Sequence, residues 1–441
     1  MNVAEQIVAQ LVDAGVHRIY GIVGDSLNPI VDAVRKTGGS KKGGIDWIHV
    51  RHEEAAAFAA SAEAQLTGKL AVCAGSCGPG NLHLINGLYD ANRTGAPVLA
   101  IASHIPSVQI GSTYFQETHP DRVFEECSVY NELISSAAQS PRTVNSAIRH
   151  AVGLGGVAVI TLPGDITDLK AVEHVPTYAP ARPATLTPNP ADIDEAAALL
   201  NKADKVAIFA GAGVEGAHDE VIALADALKA PIGHSLRGKH FIQYDNPFDV
   251  GMTGLLGYGA AAEGMNDADV LILLGTDFPY DQFLPDTPTI QVDTHAEKLG
   301  RRTDVGLAIH AQVKPFIEAL LPHLRAGRSD SFLKSKIKKH SEIMHAPVGA
   351  YTRNVEKMRP IHPEYAAHLL NETAAKDAIF TADTGMCNVW TARYIDPLGT
   401  RRLIGSLLHG SMANALPMAL GAQVAYPGRQ VVSVSGDGGL S

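Results

Sequence analysis

The sequence predicts an α/β protein with three consecutive domains, each built on a doubly wound parallel sheet. Apolar stretches of strand length alternate with helical patterns along the 441 residues. The strands, among them residues 70–74 and 270–274, are continuously apolar, which is typical of parallel sheets covered by helices on both faces. The alternation starts again after a proline-rich segment near residue 180 and once more at Pro360. We therefore expect three sheets in succession.

The proline-rich segment marks the first expected domain boundary. Proline is not tolerated in a packed helix or a central strand, and the prolines here are Pro176, Pro180, Pro183, Pro188 and Pro190. A basic stretch at residues 324–345 predicts a solvated connector helix rather than a binding surface. The third unit stops at Ser441, one turn after its last predicted strand. We therefore expect that this unit is truncated and that the chain is a fragment of a longer polypeptide.

The composition argues against several classes of partner. Lys and Arg number 36 against 46 Asp and Glu, and the formal net charge of −10 disfavours nucleic acid. No apolar run reaches the length of a membrane span, and the amino terminus lacks the features of a signal peptide. The four cysteines are too few for a disulfide framework, and Cys73 and Cys77 have no matching pair for zinc. We expect a cytoplasmic protein with reduced cysteines that binds small molecules.

Two acidic residues, Glu53 and Glu54, open an alanine-rich helix predicted for residues 52–66. The helix dipole favours a carboxylate in the first turn. Small side chains let another helix or a flat ligand approach closely. Ordinary packing explains this stretch when it is taken alone, so its importance depends on the motifs that follow it in the chain.

Three glycine-rich turns follow predicted strands. Residues 211–216 match the dinucleotide pattern G-x-G-x-x-G, but no carboxylate ends the next strand at residues 231–235, so a tight α/β turn competes with a cofactor loop. The turn at residues 75–80 would present amides to a cofactor or a partner subunit, and an ordinary turn explains it equally well. At residues 436–439, glycines allow a diphosphate to approach and Asp437 offers an oxygen to Mg²⁺, with a plain turn as the alternative.

Five motifs occur in an order that resembles the family of thiamine-diphosphate enzymes acting on 2-keto acids. The resemblance spans essentially the whole chain, and within the family it is greatest to the flavin-dependent oxidases of pyruvate. The motifs are RHEE at 51–54, CAGSCGPGNLH at 73–83, YFQETHP at 114–120, DVGMTGL at 249–255 and HGSMANA at 409–415.

The resemblance implies what each of the three domains does. They are a pyrimidine-binding domain at residues 1–180, a middle FAD-binding domain at 181–345 and an incomplete diphosphate-binding domain at 346–441. The implied cofactors are thiamine diphosphate, FAD and Mg²⁺.

The resemblance also implies residues for the thiamine diphosphate site. Glu53 would hydrogen-bond the pyrimidine nitrogen and help to activate the thiazolium carbon. Phe115 and Gln116 would border the pyruvate site. The residues implied at the bend of the cofactor, at its diphosphate and at the metal are Gly410, Ser411, Met412, Gly436, Gly438 and, for Mg²⁺, Asp437.

For the flavin, the resemblance implies a set of residues in the middle domain. The loop that matches the dinucleotide pattern would then bind a flavin instead of a nicotinamide. The set consists of Gly211, Gly213, Arg237, Met252, Thr253, Gly254, Leu255, Gly275, Thr276, Asp277, Phe278, Pro279 and Asp293.

The implied reaction is the oxidative decarboxylation of pyruvate to acetate and CO₂, with electrons passing through FAD to a membrane quinone. The resemblance further implies a homotetramer, a dimer of dimers in which Phe115 and Gln116 project towards the cofactor of another subunit. A carboxy-terminal segment absent here would attach the enzyme to lipid at the inner face of the cell membrane. An Asn-Asn pair that completes the family's metal site is also absent, so we expect this chain to bind metal and diphosphate weakly or not at all.

Three alternatives compete with this interpretation. An acetolactate synthase would use the same cofactors, with FAD as a largely structural group. A phosphate-dependent oxidase would reduce O₂. The third alternative is an FAD-binding oligomeric fragment without turnover.

Overall fold

The computed structural model describes residues 1–173, 178–179 and 184–440. Within these residues the strands form three sheets with helices packed against them, so the predicted α/β class with successive, mainly parallel sheets is confirmed. Pro176, Pro180, Pro183 and Ser441 lie outside the described residues. Pro190 is the first residue of a helix, where a missing N–H costs no hydrogen bond.

The first sheet and its helices occupy residues 1–173. In chain order the elements are α1 (Val3–Asp13), β1 (Arg18–Gly21), α2 (Asn28–Lys36), β2 (Asp46–His49), α3 (Glu53–Thr67), β3 (Ala71–Gly75), α4 (Pro79–Thr94), β4 (Val98–His104), α5 (Pro120–Val123), β5 (Tyr130–Leu133), α6 (Ser140–Leu154), β6 (Val157–Pro163) and α7 (Gly164–Thr167). In this part of the chain the strands are parallel, in the order β2-β1-β3-β4-β6-β5. One apolar cluster joins the sheet to α1, α2 and α6, and another joins it to α3 and α4.

The second sheet follows the proline-rich segment. Its elements are α8 (Pro190–Lys202), β7 (Val206–Ala210), α9 (His218–Leu228), β8 (Ile232–His234), α10 (Lys239–Ile242), β9 (Asp249–Met252), β10 (Tyr258–Gly259), α11 (Ala261–Asn266), β11 (Val270–Leu274), β12 (Thr289–Asp293), β13 (Leu307–His310), α12 (Val313–Leu320) and α13 (Ser331–Ile343). Among the described residues the strand order is β10-β9-β8-β7-β11-β12-β13. The pair β9 and β10 is antiparallel, because the connection at residues 253–257 is too short for a parallel crossover.

The third sheet lies near the carboxy-terminal end of the described chain. Its elements are α14 (Pro363–Thr373), β14 (Ile379–Ala382), α15 (Met386–Tyr394), β15 (Arg402–Gly405), α16 (Ala415–Ala425), β16 (Val431–Val434) and α17 (Asp437–Leu440). The order among the described strands is β15-β14-β16, with β14 and β16 parallel.

The chain divides into two compact units. One comprises residues 1–182, 379–385 and 404–441, and the other comprises residues 183–378 and 386–403. The domain boundaries expected at residues 180 and 345 stay predictions. Within the described residues, no helix combines the length and apolar character needed to cross a lipid bilayer.

Helix α16 begins at Ala415, the last residue of the HGSMANA motif. A turn precedes it, in which Gly410 has a φ of 81°. Asn414 fixes this turn, because its side chain accepts the Ser406 N–H (3.0 Å) and donates to the Ser411 carbonyl (2.7 Å).

The basic helix is shorter than the stretch that predicted it, and it is not wholly solvated. Helix α13 begins at Ser331, after Gly327 with a φ of 75°. Lys336 on this helix is only 5% exposed, and its Nζ donates to Oε1 of Glu263 (2.7 Å). One side of the helix is therefore packed against the rest of its unit.

Candidate active site

The carboxylate of Glu53 is buried at the amino end of α3. Glu53 is 7% exposed, and its Oε2 lies 3.0 Å from Nδ1 of His83 on α4. Nδ1 of His52 caps the helix by accepting the Glu54 N–H (3.2 Å). A Cβ atom on Gly80 would lie 3.0 Å from Oε1 of Glu53, so this glycine leaves room for the carboxylate. The result is a buried acid beside an imidazole that can share a proton with it.

Small residues let two helices pack tightly on α3. A Cβ on Gly87 of α4 would lie 2.5 Å from the Cβ of Ala57. A Cβ on Gly421 of α16 would lie 2.2 Å from the carbonyl oxygen of Ala59. Neither glycine has room for a side chain, so the close approach expected of the alanine run is made by α4 and α16.

The loop that contains Phe115 and Gln116 reaches the glycine-rich turn at residues 75–80. A Cβ on Gly78 would lie only 2.9 Å from the Cβ of Gln116. The Cys77 thiol donates to Oε1 of Gln116 (3.3 Å). Phe115 is 78% exposed. The structure thus brings Gln116 to this turn and leaves Phe115 on the surface of the chain.

Asn86 on α4 connects two predicted parts of the site. Its Nδ2 donates to Oε1 of Glu54 (2.7 Å) and to Oγ of Ser411 (2.9 Å). Its Oδ1 lies 2.8 Å from Nε2 of His409, as an acceptor. The amide therefore ties the amino end of α3 to the turn before α16. Sequence reasoning gave no role to Asn86 or His83, although both are polar residues in a helix that buries apolar ones.

Asp383 joins the two segments expected to bind the diphosphate. It is 1% exposed and accepts the N–H groups of Ala415 (2.8 Å) and Gly436 (3.2 Å). Sequence reasoning missed it, because an aspartate directly after a strand is also typical of an ordinary turn. Its carboxylate fixes the positions of both segments.

The structure places Met412 next to Gly438, where a Cβ would lie 3.2 Å from Sδ of Met412. Met412 is 60% exposed, and the Ser411 hydroxyl donates to its carbonyl (3.0 Å). Gly410 and Asp437 are both exposed. Within the described residues, no group of three or more His, Cys, Asp or Glu side chains is arranged to hold a metal ion, so Asp437 is a single candidate ligand.

In the second sheet, the turns after β7 and β11 pack directly against each other. The Gly213 N–H donates to the Gly275 carbonyl (2.9 Å), and the Gly211 N–H donates to the Leu274 carbonyl (2.9 Å). A Cβ on Gly211 would lie 2.3 Å from the Gly275 oxygen, and one on Gly213 would lie 2.6 Å from the Gly275 Cα. Turn packing alone therefore requires these glycines.

The position of the two turns adds an indication of ligand binding. The chain proceeds from β7 to β8 and β9 on one side, and from β11 to β12 and β13 on the other. The carboxyl ends of β7 and β11 therefore meet where the strand order reverses, which is where open α/β sheets bind ligands.

The segment after β9 contains a buried hydroxyl without a partner. Thr253 is 4% exposed, and its Oγ1 has no hydrogen-bond partner in the described part of the chain. Met252 packs in an apolar cluster, and Leu255 is 63% exposed. Gly254 has a φ of 101°, and a Cβ there would lie 2.9 Å from Cζ of Phe278. Because an unsatisfied buried hydroxyl is costly, Thr253 is a candidate ligand contact.

Two predicted flavin carboxylates already have partners. Asp277 forms ion pairs with Arg301 and Arg302, the latter through Nε at 3.1 Å. Asp293 is 7% exposed, and its Oδ1 accepts the His295 N–H (2.9 Å). These contacts fix both carboxylates beside the carboxyl ends of β11 and β12.

The other predicted flavin residues differ in burial. Phe278 is 6% exposed, and its ring packs edge-on against Phe209 (5.1 Å between centroids), so its side chain belongs to the core. Thr276 is buried, Arg237 is half-buried and Pro279 is exposed. Because its ring is packed in the core, Phe278 could contact a ligand only through its backbone.

A buried cation, Lys239, lies in the same unit. Lys239 is 2% exposed, and its Nζ donates to the Ala392 carbonyl (2.8 Å) and the Tyr258 hydroxyl (3.2 Å). Burial lowers the pKa of Lys239 to about 8, although the nearby Asp396 and Asp249 oppose this shift. The folded protein therefore releases this proton at a lower pH than the unfolded chain does.

Lys239→Met is expected to change how stability depends on pH. Between pH 8 and 10.5 the unfolded lysine still binds a proton that the folded one has lost, so this residue makes stability rise with pH in that window. As the pH rises from 8 to 10.5, the free energy of unfolding of the wild type should increase by about 1 to 3 kcal/mol relative to that of the variant. Urea denaturation at several pH values measures this. The free energy of unfolding of Lys338→Met, a variant at an exposed site, should depend on pH in the same way as that of the wild type. The same result for Lys239→Met would contradict the lowered pKa of Lys239.

Comparison with known protein families assigns the chain to a class of enzymes. The N-terminal TPP binding domain of thiamine pyrophosphate enzymes matches residues 1–123, the central domain matches residues 193–320, and the C-terminal TPP binding domain matches residues 383–441. The chain belongs to the family of thiamine-pyrophosphate-dependent enzymes, and its function is of the decarboxylase type.

The chain is similar to individual proteins of more than one kind. An uncharacterized 42.6 kDa protein of Pseudomonas amyloderamosa is 54% identical over 75% of this chain and 83% of its own length. The pyruvate oxidase of Lactiplantibacillus plantarum is 31% identical over 97% of this chain and 71% of its own length. The large subunit of acetolactate synthase isozyme 2 from Escherichia coli is 30% identical over 99% of this chain and 78% of its own length.

Proposed function

We propose that the protein is a thiamine-diphosphate- and FAD-dependent pyruvate oxidase that forms acetate and CO₂ and passes electrons to a membrane quinone. The observation that carries this proposal is the buried carboxylate of Glu53, 3.0 Å from His83. The similarity to a pyruvate oxidase along nearly the whole chain supports the choice of substrate. When bound, thiamine diphosphate supplies the carbanion-stabilising chemistry of decarboxylation, and FAD accepts two electrons.

In this proposal the Glu53 carboxylate holds the proton that the pyrimidine ring exchanges, and His83 shares it. Gln116 lies at the turn next to this pair and would orient the pyruvate carboxylate through its side-chain amide. The tight packing of α4 and α16 on α3 keeps bulk water away from the helix that bears Glu53. The short distance between acid and imidazole supports proton transfer without a large movement.

Residues in two turns fit a diphosphate. Asp383 anchors both turns through backbone N–H groups, and the glycines there leave the backbone accessible. Gly436 and Gly438 would lie along the diphosphate, and the exposed Asp437 would offer an oxygen to Mg²⁺. Met412, beside Gly438, would fill the space under the bend of the cofactor.

FAD fits the edge of the second sheet where β7 and β11 meet. The reversal of strand order supports a ligand there, and the buried Thr253 hydroxyl lacks a partner within the described residues. Asp293 would face the ribose of the ligand from the end of β12. The turn glycines would present their backbone to the flavin.

Gly213→Ala is expected to abolish retention of FAD. The added methyl would lie 2.6 Å from the Gly275 Cα, so the two turns must separate and the flavin loop must shift. The flavin released per chain after gel filtration and heat denaturation measures the effect. In Gly306→Ala the nearest atom would be 3.7 Å away, so flavin content should match the wild type. Normal flavin content in Gly213→Ala would count against this location.

The proposal also includes an assembly and a cellular location. A quinone resides in lipid, so a protein that reduces it must reach the membrane, and we propose a peripheral location on the inner face of the cell membrane. We further propose a homotetramer, a dimer of dimers, in which the exposed Phe115 is covered by a second subunit. Analytical ultracentrifugation of the purified protein tests the assembly.

The experiment that tests the reaction is an anaerobic titration with pyruvate. Protein supplied with FAD, and with thiamine diphosphate and Mg²⁺ at concentrations high enough to offset the weak binding expected from the sequence, should lose its flavin absorbance on addition of pyruvate. The absorbance should return with a soluble quinone analogue, and acetate should accumulate. Acetolactate as the main product would instead support the synthase, which the similarity to acetolactate synthases favours as the second candidate. A flavin that is bound but never bleaches would indicate a protein without turnover.

A further inference from the structure

A cleft lies at the edge of the second sheet opposite to the flavin turns. We name it the α13 cleft, and its volume is about 600 Å³, within the range of small-molecule sites. Lys205 precedes β7, whereas Gly211 follows its other end, so the cleft and the flavin turns lie at opposite ends of this strand. The residues that matter here are Lys205, Arg325, Arg328, Ser331, Ser335 and Lys336.

Hydrogen bonds hold the walls of the α13 cleft in place. Arg328 donates to the carbonyls of Ala203, at 2.9 Å, and Leu200. The Arg325 N–H donates to Oδ1 of Asn201 (2.8 Å). These bonds tie the segment before α13 to the carboxyl end of α8, so the cleft is preformed.

The cations of the α13 cleft differ in whether they form an ion pair. The two carboxylates that line it are both occupied, since Asp204 pairs with Arg325 (3.1 Å) and Asp267 pairs with Lys336. Arg328 donates to carbonyls, and the exposed Lys205 ammonium has no ion-pair partner in the described part of the chain. Lys205 and Arg328 are thus without an ion-pair partner among the described residues, whereas Lys336 also pairs with Glu263 (2.7 Å) and the Asp269 carboxylate accepts the Lys205 N–H (2.8 Å).

The electrostatic crowding also affects Arg328 itself. Burial, and after it the neighbouring Arg325, lower the pKa of Arg328. An anion in the cleft would relieve the repulsion between the two guanidinium groups. On the facing wall, the Ser331 hydroxyl accepts from Ser329 (3.0 Å) and keeps its own proton to donate, whereas the Ser335 hydroxyl already donates to the Phe332 carbonyl (2.7 Å).

We propose that the α13 cleft binds a phosphate group, either free or carried on a small organic molecule. Guanidinium, ammonium and hydroxyl donors together match the oxygens of a phosphate. The half-buried ring of Phe332 offers an apolar surface for an organic moiety. The cleft and the flavin turn lie at opposite ends of β7, so the ligand would bind outside the proposed flavin site.

Isothermal titration calorimetry tests the proposal with two probes, inorganic phosphate and AMP. The protein is first mixed with an excess of thiamine diphosphate, Mg²⁺ and FAD, so that these ligands occupy their own sites as far as the chain binds them. One probe molecule should bind per chain with a Kd of about 1 mM or lower. Similar affinity for both probes identifies free phosphate as the ligand, whereas tighter binding of AMP identifies an organic phosphate.

Variants locate the binding. The double variant Lys205→Gln and Arg325→Gln should weaken it by about tenfold or more. Ser335→Glu, which adds a negative charge at an exposed position and removes no cation, should weaken it as strongly. Lys334→Gln and Lys338→Gln, which lie outside the cleft on the same helix, should leave the Kd unchanged. The proposal fails if neither probe binds, or if both cleft variants bind as the wild type does.

Discussion

Glu53→Gln is expected to lower the rate of pyruvate decarboxylation by about 100-fold or more, the contribution typical of a positioned proton-transfer group. The amide keeps the size of the side chain but cannot give up or take the proton. Because Glu53 is 7% exposed, bulk water is a poor substitute at this position. The rate of CO₂ release at saturating pyruvate and cofactor measures the effect.

The control is Glu125→Gln, which removes an exposed carboxylate between α5 and β5 and should keep the wild-type rate. Calorimetric titration with thiamine diphosphate should give Glu53→Gln the same affinity for the cofactor as the wild type. A variant that binds the cofactor and turns over at more than half of the wild-type rate would show that Glu53 does not move the proton.

Gly421→Ala is expected to destabilise the protein by about 2 kcal/mol or more, in the range typical of overpacking. The new methyl group would lie 2.2 Å from the carbonyl oxygen of Ala59. Because that atom belongs to the backbone of α3, the two helices must move apart. The midpoint of urea denaturation measures the loss.

Replacing Gly153 on α6 by alanine should have the opposite effect on stability. Nothing lies within 4 Å of a Cβ at Gly153, so alanine there adds helix propensity without a clash and should stabilise by about 0.5–1 kcal/mol. Equal midpoints for Gly153→Ala and Gly421→Ala would mean that α3 and α16 do not approach as closely as described.

Much of the fold was predictable because the central strands of a parallel sheet are recognisable from local sequence. The apolar run at residues 270–274 matches β11 in both bounds. The edge strand β5 was not recognised, because it is only partly buried and contains polar residues. The short strand β15 was also missed, since its pairing with β14 depends on contacts that no local pattern records.

Many individual residues of the site could be predicted from the sequence, but the contacts between them could not. The acidic start of α3 and the glycine-rich turns are local signals, and the sequence resemblance added possible roles for them. The link from Asn86 to Ser411 joins residues far apart in the chain, and the contact between Glu53 and His83 joins two helices. Such pairs depend on tertiary packing, which is why His83, Asn86 and Asp383 were found only in the structure.

The burial of α3 has a consequence for motion. Nearly every residue from Ala56 to Ala64 is inaccessible to solvent, so its backbone amides should exchange hydrogen only when the whole unit opens. The proton-transfer group would then be mounted on one of the least fluctuating segments of the molecule. Any opening and closing needed to admit substrate must come from the surface loops, such as the one that carries Gln116.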